Sequence, residues 1–201
     1  MRAIIVTALL FVAFRPLQSQ APVGSWSDHL VYAVSIDVAA GQEEVYSSNG
    51  SSVLVYNKQF AELKKFSRIN GLSETGISTI GWNDETKTLV VAYKSANIDL
   101  VKDYSVYNIP DILNKYIPGN KSIYRIRVNG KYAYLATGFG IVVIDLIKRE
   151  ISDTWNPGDG TGTNEVFDIA FGNGNIFAAT TRGLYSANLL QQGLSYFGNW
   201  Q

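Results

Sequence analysis

The sequence contains no cysteine and only one histidine, His29, among its 201 residues. Without cysteine there is no disulfide, no thiol nucleophile and no Cys/His zinc site. A Ser-His-Asp triad would depend on His29, which precedes the repeated part of the chain and is predicted to be a polar residue of an N-terminal strand. No catalytic, cofactor-binding or metal-ligating residue is therefore predicted.

Charge is also balanced, with 17 basic and 17 acidic residues and no run of Lys or Arg. The footprint of a nucleic-acid-binding or polybasic membrane-binding protein is thus missing. The apolar stretch at residues 3–14 is too short to span a bilayer as a helix. It follows Met1 and Arg2 and ends at Arg15 and Pro16. Residues 1–20 are therefore predicted to be a secretory signal peptide. An exported chain without cysteine suits the periplasm or cell surface of a Gram-negative bacterium.

What the sequence does contain is a repeated β-rich phrase. Residues 134–141 (YLATGFGI) align with residues 177–184 (FAATTRGL) at a shift of 43. Similar phrases begin at Val91 and Tyr46, with shifts of 43 and 45. A period of about 40–45 residues made of strands is typical of β-propeller blades. The predicted fold is therefore all-β, a β-propeller of about four four-stranded antiparallel blades.

The blades are predicted at residues 34–76, 77–122, 123–165 and 166–201. Their first strand is expected at residues 34–38 and their last, the outer strand of blade four, at residues 194–197. A short helix is expected at residues 110–116, where proline suits a first helical turn. Asn57, Asp145 and Asn188 each close a third strand. Because a catalytic residue does not recur once per blade and a turn-forming Asx does, they are interpreted as structural.

Two glycine-rich strings suggest ligand loops. Residues 158–165 (GDGTGTNE) contain only two acids, too few for an EF-hand-type calcium loop, and lack the lysine and helix of a phosphate loop. They are interpreted as a flexible connection between blades three and four. Residues 138–140 (GFG) lie in a strand turn and are not followed by a helix, so a dinucleotide site is not predicted there.

One connection carries a more specific pattern. Residues 70–80 (NGLSETGISTI) resemble the repeat of the two-component-regulator propeller family, in which an N-G-L-S/D turn leads into a Val/Ile strand. Together with three further strings they resemble the N-terminal propeller of the PorZ family, which belongs to the type IX secretion system of Gram-negative bacteria. The strings are WSDHL at 26–30, NIDL at 97–100 and GFGIVVID at 138–145.

The resemblance implies a non-enzymatic protein of the cell surface or periplasm, in the complex that attaches exported cargo to anionic lipopolysaccharide. Its expected partners are other secretion-system proteins and lipopolysaccharide or another glycan. Members of the family have two propellers and a C-terminal secretion domain. The chain is therefore expected to be an incomplete, open part of a larger propeller, with apolar faces exposed on blades one and four and a tendency to aggregate.

Binding residues are expected on the face that collects the loops between blades and the turns between second and third strands, because long loops on a rigid scaffold often carry function. Arg68, Phe139 and Arg182 are the candidates, and either arginine could pair with an anionic sugar or phosphate.

Two other functions stay open. The first is a ligand-sensing periplasmic propeller of a hybrid two-component regulator, which would bind a polysaccharide fragment. The second is a propeller hydrolase or lyase that uses carboxylates, because the distance between two carboxylates cannot be derived from sequence. Fold alone does not choose among these functions.

The composition predicts that removing metal ions will not change the stability of this chain, and that the chain will not turn over common substrates. We expect a chelator to leave the melting temperature unchanged, because no Cys/His cluster exists to hold a structural metal. We also expect no turnover of glycan or ester substrates. A fall in melting temperature on adding chelator, measured by differential scanning fluorimetry, would contradict this.

Overall fold

A computed structural model describes residues 33–201 of the chain. The predicted signal peptide at residues 1–20, His29 and the WSDHL string lie outside the described residues. The described part is all-β, with four antiparallel sheets that follow one another along the chain. In none of its helices is there an apolar run long enough to cross a membrane.

Each sheet is one blade, with its strands in sequential order. Blade one contains β1 Asp37–Ala40, β2 Glu44–Ser48, β3 Val53–Asn57 and β4 Glu62–Phe66. Blade two contains β5 Ile77–Asn83, β6 Thr88–Tyr93, β7 Ile98–Lys102 and β8 Ser105–Ile109. Blade three contains β9 Ile123–Asn129, β10 Tyr132–Thr137, β11 Gly140–Asp145 and β12 Glu150–Trp155. Blade four contains β13 Val166–Gly172, β14 Asn175–Thr180 and β15 Gly183–Asn188.

Helical structure in the described residues is confined to short segments. The helix α1, Asp111–Asn114, confirms the one predicted at 110–116, and single 3-10 turns cover Arg68–Asn70 and Phe197–Asn199. The first strand begins three residues later than predicted, at Asp37.

The outer strand predicted at residues 194–197 is wrong. Leu194 is buried between blades three and four, and the Trp200 indole, also buried there, donates a hydrogen bond to the Leu194 carbonyl. Burying both side chains requires the segment to turn back on itself, so it cannot extend along β15. Only Gln201 reaches that edge, where it exchanges two backbone hydrogen bonds with Ser186. Blade four therefore has three strands among the described residues.

The repeated Asx residues are turn formers, as predicted. The Oδ1 of Asn57 accepts hydrogen bonds from the backbone amides two and three residues later, and Asp145 does the same. Asn188 accepts from the amide of Leu190. These contacts start the turn after each third strand, so the residues are used by the fold.

The hydrophobic core consists of three clusters, one between each pair of consecutive blades. Tyr46 and Leu89 belong to the first cluster, Leu135 and Ile144 to the second, and Ile176 to the third. The two middle blades are covered on both faces, since every residue of β6 and of β11 is buried. In blade one the strand β3 is not fully buried.

The inner strands β1, β5, β9 and β13 lie side by side around a central opening of about 560 Å³. Polar contacts connect neighbouring blades there. Asp37 accepts hydrogen bonds from the Thr79 hydroxyl and the Ile80 amide. Arg127 makes a bidentate pair with Asp168 at 2.8 and 3.0 Å. Burial raises the pKa of Asp168, but the hydrogen bonds from Arg127 and from the Ile169 amide, together with the charges of Arg127 and Arg125, hold that pKa below its usual range. These opposite charges neutralise each other across the opening.

The blades form an open arc, as predicted. The face of blade one that turns away from blade two exposes Val38, Tyr56 and Leu63. The corresponding face of blade four exposes Ala179 and Leu184. Among the described residues nothing covers these two apolar faces, because each end blade has only one neighbour.

The stability of the arc should depend on the inter-blade clusters. Replacing Ile144 by alanine should lower the free energy of unfolding by about 2–5 kcal/mol, because it leaves a cavity between two blades. The change Leu63→Ala should cost less than about 0.5 kcal/mol, because Leu63 is exposed. Urea denaturation followed by circular dichroism measures both, and equal losses would refute this account of the core.

Candidate functional site

The two ends of each blade differ in the length of their connections. One end, the loop end, collects the connections between blades and the turns between second and third strands. The other, the hairpin end, collects the short turns between first and second and between third and fourth strands. A rigid scaffold that presents long connections at one end is the usual arrangement for binding.

The connection between blades one and two is fixed by the N-G-L-S string. Gly71 adopts a φ of 118°, which favours glycine. Leu72 is buried in the cluster between the two blades. The amide and hydroxyl of Ser73 both donate hydrogen bonds to the buried carboxylate of Asp99 on β7, at 2.8 and 2.7 Å. The string therefore joins the connection to the sheet that follows it.

Asp99 has further donors. The Tyr93 hydroxyl donates to it at 2.5 Å and the Asn108 amide at 2.9 Å. Burial, together with the hydrogen bond to Asp99, raises the pKa of Tyr93, so its phenol stays protonated and keeps donating. A buried carboxylate needs such donors to offset its loss of hydration. The network is saturated by this chain and is structural.

The largest cavity described at the loop end is a groove of about 800 Å³ between blades two and three. We call it the loop groove. Its lining includes Pro110, Tyr116, Pro118, Phe139 and Ile151. Tyr116 is 88% exposed, whereas Phe139 and Ile151 are half-buried against the cluster between the blades. Aromatic and apolar side chains that stand on a packed core are typical of protein-binding surfaces.

The local sequence explains how the loop groove is held open. The Lys121 ammonium donates hydrogen bonds to the carbonyls of Ile112 and Leu113 at the end of α1. The segment after the helix then crosses directly over Gly138, where an added Cβ would lie 2.5 Å from the Asn120 carbonyl oxygen. Only glycine permits this approach. The crossing places the segment that carries Tyr116 beside Phe139.

Phe139 and Arg182 occupy equivalent positions in blades three and four, 43 residues apart. Each lies in a Thr-x-x-Gly turn in which the threonine hydroxyl donates a hydrogen bond to the glycine carbonyl. The structure thus places both predicted residues at the loop end, but only Phe139 lines the loop groove.

Arg182 is engaged within the chain. Its guanidinium pairs with Asp159 at 2.8 Å and also contacts Thr161. Hydrogen bonds from Thr161, and then the pair with Arg182, lower the pKa of Asp159 to about 2. Asn164, which is buried, donates to the Pro157 carbonyl and the Thr180 hydroxyl. The interpretation of residues 158–165 as a flexible connection therefore needs correction, because side-chain hydrogen bonds hold this loop at several points.

Arg68 stands apart from both other candidates. It is exposed on the 3-10 turn that follows β4 in blade one, and its side chain makes no hydrogen bond or ion pair among the described residues. The three candidates therefore do not form one site. Sequence reasoning missed Tyr116 and Ile151, although the irregular insertion after Ile109, with two prolines in nine residues, was the signal that could have led to them.

No group of three or more His, Cys, Asp or Glu side chains within residues 33–201 is arranged to hold a metal ion. The loop groove instead presents mainly apolar and aromatic side chains.

Comparisons with known proteins identify the fold and the family. The family model described as the N-terminal β-propeller domain of PorZ, of the type IX secretion system, matches residues 45–201. A search of curated protein sequences gives no match.

Solved structures match as well. PorZ, described as an essential bacterial surface component of the type IX secretion system of Porphyromonas gingivalis, superposes with a TM-score of 0.72 at 26% sequence identity. The match covers 83% of this chain but 22% of that one. The extracellular domain described as that of a hybrid two-component system from B. thetaiotaomicron has a TM-score of 0.59 at 15% identity, over 82% of this chain and 21% of that one. AztD from Citrobacter koseri has a TM-score of 0.57 at 19% identity, over 76% and 42%. The last two show the fold alone.

The Asp99 network should be the main anchor of the connection between blades one and two. Ser73→Ala should lower the free energy of unfolding by about 1.5–3 kcal/mol, because it removes a hydrogen bond to a buried charged group. Ser78→Ala, at the start of β5, is the matched control, since its hydroxyl donates to the Ala92 carbonyl, and it should cost about 1 kcal/mol or less. Urea denaturation compares the two, and equal effects would contradict the anchoring role.

Proposed function

The chain belongs to the family of PorZ N-terminal β-propeller domains, and on that premise we propose that it is a non-enzymatic docking module of a type IX secretion attachment complex. It acts outside the cytoplasm, in the periplasm or at the cell surface, and it binds another protein of the complex. The loop groove is the binding surface.

One observation carries this proposal, namely the exposure of Tyr116 above a packed apolar floor. Because the Tyr116 side chain is 88% exposed, it adds little to the stability of the fold. At an interface, by contrast, a tyrosine contributes a large rigid contact surface and a hydroxyl group. Phe139 and Ile151 supply the floor. Such a centre of aromatic and aliphatic side chains is typical of the residues that dominate binding energy.

Anionic lipopolysaccharide is the second candidate ligand, and Arg68 is the observation that favours it. Its exposed guanidinium has no partner among the described residues, so it is free to form a bidentate contact with a phosphate or carboxylate. One such cation gives a weak site, because Arg182 is already paired with Asp159. A sensor of polysaccharide fragments has less support, since the similarity to the two-component receptor domain extends to the fold alone.

A photo-crosslinking experiment tests the docking proposal. The photoreactive residue p-benzoylphenylalanine is placed at position 116, and the protein is produced in a bacterium that has a type IX secretion system. We expect a crosslinked product that mass spectrometry identifies as a component of that system. The product should be lost when Phe139→Ala removes part of the groove floor.

The control is the same photoreactive residue at position 196. Tyr196 is also an exposed tyrosine, but it lies in the segment after β15 and does not line the loop groove. Equal products at both positions, or none at position 116, would refute docking through the loop groove. Binding of purified lipopolysaccharide that Arg68→Gln abolishes, without any protein crosslink, would favour the second candidate.

A further inference from the structure

The hairpin end holds a second cavity, of about 310 Å³, between blades one and two. We call it the acidic cavity. It lies at the opposite end of the sheets from the loop groove and shares no residue with it. Its lining is formed by Glu43, Glu44, Tyr46, Val55, Phe66, Trp82, Asp84, Lys87, Leu89, Val101, Asp103 and Tyr104.

Aromatic rings form the walls of the acidic cavity. Tyr46 and Trp82, from adjacent blades, stack with their ring centroids 4.7 Å apart. Phe66 and Tyr104 meet edge to face at 6.2 Å. Tyr104 is 49% exposed, so part of its ring stays accessible. The buried side chains beneath these rings belong to the cluster between the two blades.

The four carboxylates of the acidic cavity divide into two kinds. Glu44 and Asp84 bind the aromatic walls. Glu44 accepts a hydrogen bond from the Tyr46 hydroxyl at 2.6 Å, and Asp84 accepts one from the Trp82 indole at 3.0 Å. The hydrogen bond from Trp82 lowers the pKa of Asp84, which therefore stays ionised. Glu43 and Asp103, by contrast, make no side-chain hydrogen bond or ion pair among the described residues.

Among residues 33–201, two lysines lie close to this lining. Lys87 lies 3.5 Å from Asp84, and the Lys64 ammonium lies 5.1 Å from the centroid of the Tyr104 ring. Two ammonium groups thus face four carboxylates. The distance from Lys64 to the Tyr104 ring is within the range of a cation–π contact.

The turn between β7 and β8 brings Asp103 and Tyr104 to the cavity. Both residues have positive φ, at 49° and 60°, and in such a two-residue turn Asn-Gly or Asp-Gly avoids the steric cost. Tyrosine at a positive φ is disfavoured. Ala61 and Arg149 also have positive φ in the equivalent turns of blades one and three, so this backbone belongs to the hairpin, and what differs here is that the turn places a carboxylate and an aromatic ring beside the cavity.

We propose that the acidic cavity receives a basic side chain, an arginine or lysine, of a partner protein. The methylene groups of that side chain lie against the apolar wall, and its charged group lies among the carboxylates and near the Tyr104 ring. Charge complementarity and the aromatic walls both select a cation over a neutral or anionic group. The inference deepens the proposed protein-docking function, but it concerns different residues, so either can fail alone.

Nuclear magnetic resonance tests this with N-acetyl-arginine amide as the probe and N-acetyl-citrulline amide as its uncharged match. The reporter is the indole N–H of Trp82, identified by its loss in Trp82→Phe. We expect the arginine probe to shift this signal with a dissociation constant on the order of 1 mM. The citrulline probe should bind at least about tenfold more weakly. The indoles of Trp155 and Trp200, which lie outside the cavity, should not move.

The double variant Glu43→Gln, Asp103→Asn removes the two unpaired carboxylates. It should weaken binding of the arginine probe by about tenfold. The control Glu150→Gln removes an exposed carboxylate in blade three and should leave the affinity unchanged. An equal response to both probes, no shift of the Trp82 indole, or an unchanged affinity in the double variant would each overturn the proposal. If the double variant folds differently, the comparison of the two probes on the parent protein decides.

Discussion

The structure depends on one constraint, that an apolar sheet must be covered on both faces. A four-stranded sheet has two faces and no core of its own, so each blade is stable only against its neighbours. The middle blades satisfy the constraint fully, and their central strands β6 and β11 are buried at every position. The first and last blades satisfy it on one face. For this reason burial alternates along β3 and β14 in the end blades, whereas β6 and β11 in the middle blades are buried throughout.

The same constraint explains how much could be predicted. A blade that must pack on both sides repeats the same buried pattern, and the strands β10 and β14 accordingly keep the offset of 43 residues that aligned the phrases at 134–141 and 177–184. Asn57 and Asp145 were predictable as turn residues for the same reason. The segment after Asn188 was not, because it departs from the blade pattern and buries Leu194 and Trp200 in the cluster between blades three and four.

The loop groove and the acidic cavity could not be predicted for a different reason, because both depend on distances between separate elements. Arg182 and Phe139 are equivalent in sequence, but the first meets Asp159 across a turn and the second meets Tyr116 across a groove. The acidic cavity draws residues from six strands and the turns next to them in two blades, and no local string contains more than two of its carboxylates. Charge is spread evenly in the sequence, and only the stacking of blades brings like charges together. Opposite ends of one rigid arc thus present an apolar groove and a negatively charged cavity.

The Thr-x-x-Gly turns of blades three and four have a consequence for how such a protein can diversify. The threonine-to-glycine hydrogen bond fixes the backbone of the turn in both blades, whatever the two residues between them. In blade three this pair is Gly-Phe, and the small residue lets a neighbouring segment cross and leave a groove. In blade four it is Thr-Arg, and both side chains tie down the adjacent loop. In these two blades, the two residues between threonine and glycine therefore decide whether a groove is present beside the turn or the adjacent loop is bound to it. Duplicated blades can acquire different surfaces in this way without any change in the sheet.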